Sequence, residues 1–312
     1  KKMYDHGVYG YFGDDKDYLA SIKWWMKTRH NWDIDLSWIF TTHGLVNGTS
    51  MAIQTYSDPG DGVVLFTPIY YVFFKQIKEG GREVLECPLV NNKGHYELDF
   101  EYYDSLMKGN EKVLVLSSPH NPGGRVWTQK ELTEIASFAQ RHDLVVVSDE
   151  IHNDLIMPGY QHIPMAIAAP EILDRLVMMT ATTKTFNIAG MHTGNVIIPD
   201  PKLRAKFNKT MISFGISPSS FGKHMVTAAY SQEGADWVDT LMLYIEENQK
   251  IFNDGLSQIP GINSMALEST YLCWVDFSNT GMKNDEFTKR VEKKAQIAVN
   301  PGHTFGTGGE NF

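Results

Sequence analysis

The sequence predicts an α/β fold, a mostly parallel sheet between layers of helices, and three observations carry that reading. Short runs rich in β-branched and apolar residues recur at 63–67, 82–88, 112–118, 144–149, 176–182 and 194–199. Helix-like segments separate them, and strands that alternate with helices build parallel sheets. Runs such as Leu144-Val145-Val146-Val147 are apolar at every position, as strands covered by helices on both faces should be.

The elements follow in order. Between the third and fourth runs, Thr128-Gln129-Lys130-Glu131 forms a capping box, in which the threonine oxygen and the glutamate satisfy backbone N–H groups that a helix start leaves open. Leu132, Ile135, Ala136 and Ala139 then recur at helical spacing, so this helix begins at Thr128 and ends near His142. Residues 203–253 are helix-rich, and a further strand at 270–276 and a charged helix at 284–294 come after them. A boundary near residue 240 divides a large domain, 1–240, from part of a smaller α+β domain, 241–312. The start, Lys1-Lys2-Met3, lacks the apolar stretch of a signal peptide, and the end, Gly308-Gly309-Glu310-Asn311-Phe312, is a glycine-rich loop. Both ends read as cut.

Composition narrows the function. A chain of 312 residues, 42% hydrophobic, can bury a large core. Its net charge of -9 and lack of a long basic run argue against nucleic acid or an anionic membrane as a partner and favour a small molecule. The apolar runs are strand-sized, too short to cross a bilayer. Cys87 and Cys273 are the only cysteines and stand far apart. No disulfide framework or metal site is expected, and a reducing cytoplasm fits.

The residues that carry chemistry sit where strands end, which is where such sheets bind ligands. Lys184 follows an apolar strand among small hydroxyl residues, Thr182, Thr183 and Thr185. An isolated loop lysine is ordinarily solvated; one that forms a Schiff base must be partly desolvated to be a neutral nucleophile near about pH 7. Asp149 closes another strand, where it could cap a helix or face a site and hold a proton on a pyridine nitrogen. Asn121, in the turn Ser118-Pro119-His120-Asn121-Pro122-Gly123-Gly124, can offer an amide donor inward.

Taken together, Asn121-Pro122-Gly123-Gly124, then Asp149-Glu150, then Thr183-Lys184-Thr185-Phe186-Asn187 resemble the fold-type-I pyridoxal-phosphate enzymes of the class I/II aminotransferase superfamily. His6-Gly7-Val8-Tyr9-Gly10-Tyr11, Asp58-Pro59-Gly60-Asp61-Gly62-Val63, Thr67-Pro68-Ile69-Tyr70, Asp149-Glu150-Ile151-His152-Asn153-Asp154-Leu155 and Ser269-Thr270-Tyr271-Leu272 look like the MalY/PatB-type cystathionine β-lyases within it. The resemblance spans nearly the whole chain. It implies that Lys184 carries pyridoxal 5'-phosphate as a Schiff base, Asp149 pairs with the ring nitrogen and Asn121 donates to the phenolic oxygen. Tyr70 would stack on the ring, although the neighbouring Tyr71 leaves the register open. His152 would neighbour the cofactor where relatives often have a tyrosine. The phosphate would lie at Gly44-Leu45-Val46, on N–H groups of Leu45 and Val46 at a helix start, with hydroxyls from Thr182 and Thr183.

Two departures from the superfamily pattern touch the phosphate. Ala181 stands where a serine often helps bind it, and His192 stands where many aminotransferases carry an arginine. Tyr11 resembles the tyrosine that reaches the neighbouring subunit's phosphate, which implies a homodimer with shared active sites. The arginine that grips the substrate carboxylate would lie beyond residue 312. The implied activity is β-elimination from cystathionine or related cysteine S-conjugates to a thiol, pyruvate and ammonia. Aminotransfer by the same site and a regulatory binding role that retains the cofactor are the alternatives.

Overall fold

The computed structural model describes residues 2–11 and 13–312. Its strands are β1 (Ile39–Thr42), β2 (Gly62–Thr67), β3 (Glu83–Pro88), β4 (Val90–Asn92), β5 (His95–Glu97), β6 (Glu111–Ser117), β7 (Val145–Asp149), β8 (Leu176–Thr180), β9 (Gly194–Ile197), β10 (Asn263–Ser264) and β11 (Val275–Asp276). Seven of them form one sheet in the order β1-β9-β8-β7-β6-β2-β3. From β3 to β8 neighbouring strands of this sheet run parallel, whereas β9 is antiparallel to both β8 and β1.

Strand side chains point alternately to opposite faces, and here each face meets its own helices. Val64, Phe66, Leu114, Leu116, Val146 and Met178 join one core with Tyr18, Ile22, Trp25 and Met26 of the helix Lys16–His30 and with Leu132, Ile135 and Ala139 of the helix Gln129–Arg141. Val63, Leu65, Val113, Val115, Val147 and Val177 join the other with Leu45, Met51 and Ile53 of the helix Leu45–Tyr56 and with Phe73 and Ile77 of the helix Val72–Glu79. Two-sided burial is why these strands read as unbroken apolar runs. It also leaves only their ends free to carry polar chemistry.

The capping box is present: Glu131 N–H donates to Thr128 Oγ1 at 3.2 Å, and Thr128 N–H donates to Glu131 Oε2 at 2.8 Å. The remaining elements bring corrections. The strand expected over 176–182 stops at Thr180, because the chain curls into a single turn of helix, Thr182–Thr185. Of the strand expected over 270–276 only Val275–Asp276 pairs, with Asn263–Ser264. Ahead of it Thr270 takes φ +69°, and its N–H goes to the Leu155 carbonyl instead of a ladder. The edge strand β1 and the β4–β5 hairpin were not foreseen; each is only three or four residues long. Apart from these corrections, the helix Gln232–Leu256 runs 25 residues, and the boundary expected near residue 240 falls in its interior. Among the described residues no helix is long and apolar enough to cross a membrane.

The capping box generates a test. Thr128→Ala removes the acceptor of the Glu131 N–H and should cost about 1 kcal/mol, read as a lower urea midpoint. Thr128→Ser should keep the parent midpoint; equal losses in both variants would assign the effect to packing of the threonine methyl.

Candidate active site

The carboxyl ends of β2, β6, β7 and β8 open onto one cavity of about 1160 Å³. Lys184 reaches it because the chain turns immediately after β8. Phe186 N–H returns to the Thr182 carbonyl at 2.9 Å and Ile188 N–H to the Thr183 carbonyl at 3.0 Å, which closes the turn and presents the lysine to the cavity.

Asp149 ends the adjacent strand, β7, and its carboxylate also lines the cavity. It accepts one hydrogen bond, from Ile151 N–H at 3.2 Å. Burial pushes this carboxyl up to about 7, against the opposing effects of that bond and of the Lys184 charge. Desolvation disfavours the ionised form of an acid in this way. Three residues on, His152 is buried with Nδ1 unpartnered, and its ring stands edge-on to Tyr271 with centroids 5.9 Å apart. Burial first, and the Lys184 charge second, pull its imidazole down to about 3, so His152 faces the cavity as a neutral ring.

The loops after β2 and β6 are joined by His120. Its Nε2 lies 2.9 Å from the Pro68 carbonyl, and its Nδ1 lies 3.3 Å from the Gly123 N–H. A carbonyl only accepts, so Nε2 bears the proton and Nδ1 accepts from Gly123. Burial holds this ring neutral, near 3, and keeps that tautomer in place. One side of the clamp carries Tyr70 and the other carries Asn121, and both line the cavity. Tyr71 lines it too, but packs edge-on to Phe305 with centroids 5.5 Å apart. Tyr70 faces Asp149 closely enough that, after burial and Tyr71, the Asp149 charge raises its phenol.

The helix Leu45–Tyr56 begins at the cavity. Gly44 takes φ +80° and no side chain caps the helix, so the first N–H groups, those of Leu45 and Val46, point their dipoles at whatever occupies that end. His192 lies against this helix start, its Cα 3.9 Å from where a Cβ on Gly44 would stand, and Thr183 lines the same cavity. The expected site residues Lys184, Asp149, Asn121, Tyr70, His152, Leu45, Val46 and Thr183 therefore share one lining. Thr182 does not join them: it is fully buried behind the turn, and its Oγ1 makes no hydrogen bond. Tyr11 is 99% exposed and stands outside the lining. Sequence reasoning missed an aromatic and apolar wall formed by Leu272, Cys273, Trp274, Val299 and Phe305. Its one available signal was the adjoining Ser269-Thr270-Tyr271-Leu272 motif.

These groups fit a flat, cationic heteroaromatic ring that bears an anion. Asp149 has too few donors to carry its charge alone, an open helix start can bind a phosphate, and a lysine shares the cavity with both.

Known proteins of this architecture share the sequence as well. The family described as "Aminotransferase class I and II" matches residues 6–312. The cystathionine beta-lyase PatB of Bacillus subtilis (strain 168) is 36% identical, over 100% of this chain and 81% of its own length. Protein MalY of Escherichia coli (strain K12) is 31% identical, over 98% of this chain and 79% of its own. The crystal structure of cystalysin from Treponema denticola, which contains a pyridoxal 5'-phosphate cofactor, is 38% identical over 99% of this chain and 79% of its own, with a TM-score of 0.94.

The buried carboxylate predicts a pH signature in the cofactor-free chain. Between the ordinary value of 3.8 and about 7 the folded chain keeps a proton on Asp149 that the unfolded chain has lost. Stability therefore falls as pH rises through that window. Asp149→Asn bears no such charge, so its thermal midpoint should match the parent near about pH 4 and exceed it by about 3 °C or more above about pH 7. A gap that is constant with pH would place the titrating group elsewhere.

Proposed function

The chain belongs to the aminotransferase class I and II family, and from that membership we propose that it is a pyridoxal-phosphate-dependent carbon–sulfur β-lyase. It cleaves cystathionine or related S-substituted cysteines to a thiol, pyruvate and ammonia. The cofactor is supported by Asp149, a buried carboxylate with a single donor in the same lining as Lys184, and the lyase reading by the similarity to PatB and MalY.

Each residue then has a task. Lys184 Nζ would hold the cofactor covalently, the Asp149 carboxylate would keep a proton on the ring nitrogen, and Asn121 and Tyr70, which line the same cavity, would contribute an amide donor and an aromatic contact. Leu45 and Val46 N–H groups, with the Thr183 hydroxyl, hold the phosphate, and His152 is a neutral neighbour. When bound, pyridoxal phosphate supplies the electron sink that makes the substrate Cα–H bond acidic. Once free of the cofactor, Lys184 Nζ takes the proton from Cα as general base. The bond from Cβ to sulfur then breaks with its electrons leaving on sulfur, and water completes the conversion of the remainder to pyruvate and ammonia.

A homodimer with shared sites and a division of the chain near residue 240 are parts of the same proposal. Tyr11 supports the first: it projects into solvent while the nearby Tyr9 ring stacks on Phe221 with centroids 5.6 Å apart, a posture suited to reaching a second subunit's phosphate. Cys87 and Cys273 are both free, in keeping with a reducing cytoplasm.

The decisive assay measures pyruvate and thiol from cystathionine beside keto-acid formation. Lys184→Ala should lose pyruvate release by several powers of ten and leave no cofactor fixed to the chain by borohydride. Keto acid in place of pyruvate would identify an aminotransferase instead. For the dimer, Tyr11→Phe should weaken cofactor affinity by about one to two powers of ten, the worth of one charge-assisted hydrogen bond. Mixing Tyr11→Phe with Lys184→Ala subunits should restore activity, because one site in each hybrid is then free of both changes. No gain after proven subunit exchange would confine Tyr11 to its own chain.

A further inference from the structure

The motif that supplies Asp149 and His152 holds a further buried acid beyond Asp149 and Glu150. Asp154 lies outside the cavity lining, and its side chain is fully buried. Its Oδ1 accepts from Trp25 Nε1 at 2.9 Å and from His30 Nε2 at 2.9 Å, and its Oδ2 accepts from Thr185 Oγ1 at 3.2 Å. One carboxylate thus joins three parts of the chain: the segment after β7, the helix Lys16–His30 and the turn that bears Lys184.

The backbone bonds of that turn run within the segment itself, from Phe186 to Thr182, Asn187 to Lys184 and Ile188 to Thr183. They set its shape and leave its placement against the rest of the molecule to other contacts. Phe186 supplies apolar ones, edge-on to Trp25 and stacked on Trp237. Thr182 Oγ1 makes no hydrogen bond, so the Thr185 hydroxyl is the polar anchor, and it belongs to the residue directly after the lysine. A carboxylate suits this junction because it only accepts, whereas an amide would turn N–H groups toward donors.

We propose that Asp154 is a positioning residue for Lys184, acting through Thr185: it holds the turn so that Nζ stays in line with the substrate Cα–H bond. The inference rests on the reading of Lys184 as the cofactor-bearing base. Misplacing a reacting group by about 1 Å can cost up to a hundredfold in rate, an effect on turnover that need not alter substrate binding.

Thr185→Val keeps the shape of the side chain and removes only the hydroxyl. In the cofactor-loaded protein it should lower kcat about tenfold or more. KM should stay within about twofold, since binding groups common to ground and transition states are untouched. The pH at which the bound cofactor's visible band titrates should move, because Nζ sits in an altered field, while the thermal midpoint of the cofactor-free chain should fall by only a few degrees, the cost of leaving one buried carboxylate oxygen without its donor. Thr185→Ser should restore kcat and the spectral midpoint. Asp154→Asn should repeat the loss seen in Thr185→Val. Parental kcat in Thr185→Val overturns the inference, as does a parallel fall of kcat and thermal stability that serine does not rescue. Retained turnover in Lys184→Ala would instead overturn the functional reading, and this inference with it.

Discussion

Asp149 brings a carboxylate to the buried end of β7 with one hydrogen bond, from Ile151 N–H at 3.2 Å. Water is largely excluded there, and burial lifts the group to about 7 in spite of the Ile151 bond and the Lys184 charge, which pull the other way. A site built on such a residue is unbalanced without a cation, which is a stability cost in the bare fold and a source of selectivity toward a protonated ring. Lys184 offsets part of the imbalance. Burial keeps Tyr70 and His152 in their neutral forms, and the nearby charges reinforce it, Asp149 at Tyr70 and Lys184 at His152.

The surrounding structure keeps this arrangement rigid through buried polar junctions instead of apolar packing alone. His120 binds the loop of Tyr70 to that of Asn121, and its neutral state lets it donate to one loop and accept from the other. Arg125 reinforces the second loop: it donates to Glu131 at 3.0 Å and to Glu268 at 3.4 Å, joining the turn after β6 to the segment that carries Tyr271. Glu150, the neighbour of Asp149, is satisfied separately by Ser148 Oγ, His162 Nε2 and Met165 N–H. Adjacent acids in one motif therefore face different surroundings. Only Asp149 is left to address a ligand.

Much of the fold was legible because local physics and tertiary packing agree. Strands buried on both faces must be apolar throughout, so β2, β6, β7 and β8 announced themselves. The helix after β6 did so through Thr128, Glu131 and its apolar stripe. The segment at 270–276 misled because Tyr271, Leu272 and Trp274 are suited to a strand face yet are spent on the wall of the cavity, with Thr270 held in a left-handed conformation by the bond to Leu155. The edge strand β1 was too short to stand out from its neighbours.

For the site, the sequence supplied candidates through a resemblance: a lysine after one strand, an aspartate closing the strand beside it and an asparagine in a Pro-Gly turn match a family pattern that residue type alone would not have established. Tertiary structure alone decided which of them meet. Thr183 enters the cavity and Thr182 is buried behind it, because consecutive residues on a single turn point in different directions. Likewise Trp274 and Phe305 reach the wall from far along the chain, and Asp154 reaches the lysine turn through Thr185. Each of these depends on contacts between distant segments, for which residue type and spacing carry no local signal.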